Sequence, residues 1–220
     1  MKHIVKQSEP SEFIEWKGME SEDWKPTYDA LRGSKTGKIV KDSIIREQGG
    51  LCCYCERRID ESNSHIEHFR PQSVFTNESL EYGNMLCSCF REVKKGTELH
   101  CGHLKGEWFD ENLLISPLDS ICESRFAFEL DGRMMQSKTD DTAAQTTIER
   151  LGLNAGKLIA KRKALLDVFN GAGHDGLTES DIETFTWEDQ RAFAEGYLRR
   201  GNNGMFEEFW STIQYMLGQM

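Results

Sequence analysis

Proline is scarce, four in 220 residues, and no stretch crowds proline, glycine and serine together. A long flexible linker between separate modules is therefore excluded. No internal repeat is visible, which excludes a solenoid or a propeller. No apolar run approaches the roughly 18 residues of a membrane-crossing helix. The opening MKHIVKQSEPSEF lacks the apolar stretch of a secretory leader. These absences lead us to expect a cytoplasmic protein without membrane contact. Net positive charge is missing as well. The formal net charge is −10, which taken alone argues against a nucleic-acid partner.

That charge is unevenly spread. Residues 1–50 carry nine Lys/Arg and nine Asp/Glu, residues 51–106 seven and eight, and residues 107–220 eleven and twenty. The acidity lies almost wholly after residue 106. The average therefore says little about the partner of the first half.

Cysteine is what the chain does have. Six of the seven, Cys52, Cys53, Cys55, Cys87, Cys89 and Cys101, fall within fifty residues. In a reducing compartment, clustered thiols are metal ligands before they are disulfides. Cys52-x-x-Cys55 puts two sulfurs on one tight turn, half of a tetrahedral zinc site. Cys89 and Cys101 are the best second pair, with Cys53, Cys87 and His100 as alternatives. The insert 90–100 between them holds Arg91, Lys94 and Lys95. It reads equally as a phosphate-contacting loop and as a solvated charged one. Cys122 stands apart and reads as a buried, inert thiol.

The expected fold class is α+β. Residues 22–32 can start a short helix. Residues 36–48 predict a helix with Ile39, Val40, Ile44 and Ile45 on one face, ended by Gly49-Gly50. Asp131-Gly132 predicts a hairpin turn within 125–136. From about residue 141 the pattern is helical, including 179–200 and 206–220. The organisation expected is a helical lead-in over 1–50, a zinc-held core with a hairpin over 51–140, and a helical region over 141–220 that offers a partner surface. Lys161-Arg162-Lys163 read as a charged outer face. Phe206, Phe209, Trp210 and Tyr215 read as core or partner surface.

The stretch 65-HIEHFRPQSVF-75 carries candidate chemistry. Phosphodiester hydrolysis needs a base to deprotonate water, and a neutral imidazole suits this near pH 7. It also needs a divalent ion to clamp the phosphate. His68 is the candidate base, and Glu67 and His103 are the candidate ion ligands. Asn84 would fix the loop or the His68 ring. Arg70 and Lys105 would contact phosphate. In a strand of period two, His65 and Glu67 share one face and His68 takes the other. His65 is thus expected to be a supporting or surface residue.

Four motifs together, 52-CCYC-55, 66-IEHFRP-71, 82-YGNMLCSC-89 and 101-CGHLKG-106, resemble the HNH (ββα-metal) nucleases. The resemblance covers about residues 35–106 and extends weakly to 111–117 and 147–154. LCCYCERRI, IEHFRPQS and CGHLKG resemble a narrower group, the PtuB-type nucleases of bacterial Septu defence systems, including those attached to retrons. The sequence departs from the general pattern with glutamate in place of aspartate at residue 67, and with the insert 90–100. The resemblance implies a zinc-stabilised ββα-metal core with N-terminal helices and a helical C-terminal region. It implies a metal-dependent endonuclease acting on nucleic acid in antiphage defence, with structural Zn2+ and a catalytic Mg2+ or other divalent cation. The partner implied is an ABC/SMC-type ATPase (PtuA-like), joined in retron-attached members by a reverse transcriptase with its RNA/DNA. The competing reading is a non-catalytic zinc module that binds protein or nucleic acid; it explains the cysteines but has no need of His68, Asn84 or His103. A zinc hydrolase would want an open three-ligand site, which four cysteines oppose.

Overall fold

The computed structural model describes residues 1–90, 92, 95, 96, 98–170 and 186–219. The first helices are α1 (Ser11–Lys17), α2 (Tyr28–Leu31) and α3 (Lys35–Glu47). Helix α3 starts where the Ser34 hydroxyl accepts the Gly37 N–H at 2.9 Å, satisfying a donor that the first turn leaves orphaned. Its inner face buries Val40, Ile44 and Ile45, as the apolar spacing predicts. It ends at Gly49 and Gly50, whose φ angles of 63° and 72° strain any residue with a Cβ.

The chain then enters the cysteine turn. Leu51 bridges Arg58, and the Cys52 N–H donates to the Arg57 carbonyl at 2.8 Å. Strand β1 (Ser64–His68) pairs antiparallel with β2 (Met85–Cys89), with His65 opposite Ser88 and His68 opposite Met85. Every residue of β2 is buried. The one-turn helix α4 (Gly102–Lys105) follows. Gln48 ties these pieces together. Its amide donates to the carbonyls of Leu51 (2.7 Å) and Cys87 (2.9 Å), and its oxygen accepts the Cys87 N–H at 2.7 Å.

The expected hairpin forms as β3 (Phe126–Phe128) and β4 (Met134–Gln136). Helices α5 (Thr142–Arg150), α6 (Gly156–Phe169), α7 (Trp187–Tyr197) and α8 (Trp210–Gly218) complete the described chain. Thr186 and Asp189 form a capping box at the start of α7. Residues 179–185 of the helix expected over 179–200 lie outside the described residues, as do Arg91 and Lys94 of the insert.

The three expected segments share one core. It runs from Ile4 and Phe13 through Tyr54 and Leu86 to Leu158 and Phe209. The C-terminal part grips the cysteine turn directly. The Phe206 N–H donates to Gly49 O at 2.9 Å, the Phe209 N–H to Glu56 O at 3.0 Å, and the Ser211 N–H to the Glu56 carboxylate at 2.7 Å. Of the expected outer face 161–163, Arg162 is corrected: it is 1 % exposed. It donates to the carbonyls of Gly132 (2.6 Å) and Leu153 (2.7 Å) and to Asn154 Oδ1 (3.1 Å). Those acceptors gather around the close approach of Gly132 to α6, and Arg162 falls on the buried stripe of that helix, four residues from Leu158 and from Leu166. No helix among the described residues is long and apolar enough to cross a membrane.

Candidate active site and metal centre

The metal centre is assembled from three places in the chain. Cys52 and Cys55 come from the turn after α3, Cys89 from the end of β2, and Cys101 from the residue before α4. Their four sulfurs lie within 4.8 Å of one another and all four residues are buried. The Cys55 and Cys89 sulfurs are 3.8 Å apart. A tetrahedron with zinc–sulfur bonds of about 2.3 Å has edges of about 3.8 Å, so the donor set and its spacing fit a zinc-sized ion. Burial alone would push the Cys52 thiol up. Hydrogen bonds from Cys101, Cys53, Cys55 and Cys89 outweigh it and hold the thiol well below its ordinary range. The Cys89 N–H also points at the Cys52 sulfur, at 3.3 Å.

Cys53 and Cys87 are buried thiols outside the group, and burial raises the pKa of both. His100 stands beside the sulfurs, its Nδ1 3.1 Å from Cys101 and 3.6 Å from Cys89. It is a neighbour of the four sulfurs and not one of their group. Cys122 is buried and free, as expected.

The candidate catalytic residues divide over the two faces of β1. His68 faces α2. Its Nε2 lies 3.0 Å from the Ser79 carbonyl. A carbonyl only accepts, so Nε2 carries the proton and Nδ1 keeps a lone pair. The Tyr28 ring packs edge-on against the imidazole, 4.5 Å between centroids. Burial pushes the pKa of His68 below its ordinary value, opposed by the Ser79 carbonyl and the Glu67 charge. The ring is therefore neutral near pH 7, as a base must be.

Asn84 acts on the loop and not on the His68 ring. Its Oδ1 accepts the Arg70 N–H at 2.8 Å, and its Nδ2 donates to Arg70 O at 2.9 Å and Glu78 O at 3.3 Å. Glu78 precedes Ser79, so this clamp fixes the carbonyl that orients His68. Arg70 pairs with Glu78 at 3.1 Å and lies over the rings of Phe75 and Phe109.

Glu67 lies on the other face, inside a network. Its Oε1 accepts from Lys105 Nζ at 2.9 Å and from the Tyr54 hydroxyl at 3.2 Å. Its Oε2 is 3.3 Å from His65 Nε2. Burial would raise its pKa, but His65 and Lys105 outweigh burial and hold the carboxyl below its ordinary value. Gly102 leaves room for this arrangement. A Cβ there would come within 2.3 Å of Glu67 Oε2 and 2.8 Å of His65 Nε2. His65 Nδ1 and His103 Nε2 both point at the Phe90 carbonyl, at 2.6 and 2.9 Å, and their rings are 4.7 Å apart.

One expectation needs correction on this geometry. Lys105 is 3 % exposed and also donates to His68 O at 3.1 Å. Its ammonium is directed into the protein rather than at a phosphate outside. The divalent ion expected on Glu67 and His103 would lie beside the ammonium that pairs with Glu67 Oε1, with Oε2 facing His65. The structure does not bring the His68 ring onto the face of Glu67 and His103. The alternation of the strand forbids it. His65, expected as a supporting or surface residue, takes a supporting place beside Glu67 and His103, on the face that its two-residue spacing from Glu67 gives it. Tyr54 and Ser79 were missed, and nothing in their identity marks them.

No family model matches the chain. Curated relatives do. Two are named as the "putative HNH endonuclease" of a retron. One, of retron Vc95 from Vibrio cholerae, is 34 % identical over 137 residues, covering 59 % of this chain and 64 % of the relative. The other, of retron Ec83 from Escherichia coli, is 28 % identical over 216 residues, covering 80 % and 83 %. The Septu protein PtuB of Bacillus thuringiensis is 32 % identical over 103 residues, covering 44 % of this chain and 38 % of the relative. The match thus spans just under two thirds of the Vc95 relative's length and well under half of PtuB. These relatives agree with the resemblance read from the four motifs: the chain is similar to HNH endonucleases of the Septu and retron-associated type.

Proposed function

We propose that this chain, a relative of the retron and Septu HNH proteins, is an endonuclease that hydrolyses phosphodiester bonds with His68 as its general base. The observation that carries the reading is the His68–Ser79 contact. It commits the proton to Nε2 and leaves Nδ1 free to accept one. Asn84 holds the Ser79 carbonyl in place through Glu78. In the proposed step, His68 Nδ1 takes a proton from water as the water oxygen bonds to phosphorus, the opposite P–O bond breaks in line, and the leaving oxygen takes a proton from solvent water. Lys105 fixes the His68 backbone by its bond to the carbonyl, so the base is held from both ends.

Cys52, Cys55, Cys89 and Cys101 would hold zinc. Four thiolates make a closed site, so the ion would supply folding energy and no chemistry. Glu67 is assigned to the buried network that anchors the strand end.

The relatives' own names put them in retron and Septu systems. We extend that setting to this chain as antiphage defence. Action beside an ABC/SMC-type ATPase rests on the motif resemblance alone. Incubating the purified chain with plasmid DNA and with RNA, with and without such an ATPase and a divalent ion, tests the reading. Cleavage by the wild type, absent in His68→Ala at unchanged metal content and melting temperature, is the expected result. Equal cleavage by that variant would remove His68 as the base, and no cleavage by the wild type under any of these conditions would leave the non-catalytic module as the better account.

A further inference from the structure

A groove of about 560 Å3 opens beside β1, and its walls are positive in an acidic chain. Arg32, Lys35, Lys38 and Lys41 line it against a single carboxylate, Glu61. Arg32 and Lys35 are exposed. Lys38 pairs with Glu61 at 2.9 Å, but both side chains are about half exposed. Such a pair is weak and yields easily to a phosphate. Lys41 is fixed at the floor, donating to the carbonyls of Glu61 (2.7 Å) and Ser64 (2.5 Å). The groove also takes in Gly33 and Ser34, at the N-terminus of the 13-residue helix α3, where the helix dipole adds further positive potential.

The groove leads to the candidate base. Ser64 and Ile66 line it, and they share the face of β1 that carries His68. Two residues along a strand advance the chain by about 6.8 Å, close to the spacing of successive phosphates in an extended strand. Tyr28 closes the path, since it lines the groove and packs its ring on His68. The lining thus runs along β1 through Ser64, His65 and Ile66, two residues short of His68, and Tyr28 touches both the groove and the His68 ring.

We propose that this groove is the track along which the phosphodiester backbone of the cut strand is laid to reach His68. The proposal rests on the nuclease reading and deepens it by naming the contacts that hold the substrate. Phosphate contacts of this kind are indifferent to base sequence and fall with salt. DNA and RNA present the same backbone charge, so the test must separate them.

The test measures the binding of labelled duplex DNA, single-stranded DNA and single-stranded RNA to the full chain by fluorescence anisotropy, from 50 to 200 mM salt. The His68→Ala background keeps the strands intact. Arg32→Gln with Lys35→Gln removes two contacts. Lys138→Gln with Lys157→Gln, both exposed and outside the groove, removes the same charge elsewhere. The groove pair should weaken binding roughly tenfold, whatever the base sequence. It should also flatten the plot of log affinity against log salt by about 1.8 for duplex or about 1.4 for single strands. The control pair should do neither. The strand type showing the largest groove-dependent loss is the substrate class. Equal effects of the two pairs, or no binding by the parent chain at 50 mM salt, would overturn the groove. Cleavage retained by His68→Ala would instead overturn the base while leaving this binding result to stand, so the two failures are told apart.

Discussion

Lys105 and Glu67 form an ion pair of 2.9 Å in which the side chains are only 1 % and 8 % exposed. The pair joins α4 to the end of β1, beside His68. Two buried charges are tolerable only together, because each has lost its water. Lys105→Met should therefore destabilise the fold by about 3–5 kcal/mol by leaving the carboxylate unpaired. Adding Glu67→Gln should recover much of that loss, since the amide still accepts from Tyr54 and no charge is stranded. Urea unfolding of both single variants and the double reads the coupling. Losses that simply add would show that the pair is not a unit.

The cysteine assignment makes a sharper distinction than cysteine content alone. Cys89→Ser should lose the metal and, with it, cooperative unfolding, because a structural zinc contributes on the order of 10 kcal/mol. Cys53→Ser and Cys87→Ser should keep about one equivalent of metal, since neither sulfur belongs to the group. Elemental analysis and thermal melts of the three variants decide it. Metal loss in Cys87→Ser with retention in Cys89→Ser would move the second half of the site.

A pH dependence follows from Arg125 and Asp141. The Arg125 guanidinium grips both oxygens of the nearly buried Asp141 carboxylate. That hydrogen bonding holds the carboxyl below its ordinary value against the opposing effect of burial. A depressed folded pKa means stability that is present above the unfolded pKa, about 3.9, and lost as pH falls through the folded value. Asp141→Asn removes the charge but keeps an oxygen for the Ala144 N–H it caps. Its cost, up to about 1 kcal/mol for a pair whose arginine is partly open to water, should be constant near neutrality and shrink below pH 4. Asp141→Ala should cost about 1 kcal/mol more at every pH by losing the cap. Denaturant unfolding at pH 7 and pH 3 checks both statements.

Much of this was legible in the sequence, for identifiable reasons. Helix α3 announces itself through Ser34, an apolar stripe and Gly49-Gly50. The four cysteines share a chemistry that few other uses explain. Period two alone separates His68 from Glu67. What was not legible depends on partners distant in sequence. Lys105 looked like a surface cation until Glu67 and the His68 carbonyl, 38 and 37 residues earlier, closed over it. Arg162 looked exposed until Gly132 and Leu153 supplied buried carbonyls. The Ser79 contact involves a backbone oxygen, which every residue has and no motif can mark.

The most direct measurement of the central claim is chemical rescue of the base. His68→Gly empties the space beside the Tyr28 ring and the Ser79 carbonyl. Free imidazole can enter there, donate to the same carbonyl and offer its second nitrogen to water. The account predicts that His68→Gly loses at least about a hundredfold in cleavage rate, the scale of general-base catalysis, and that added imidazole restores part of it with a saturable dependence on concentration. Wild-type cleavage by His68→Gly without imidazole would contradict it.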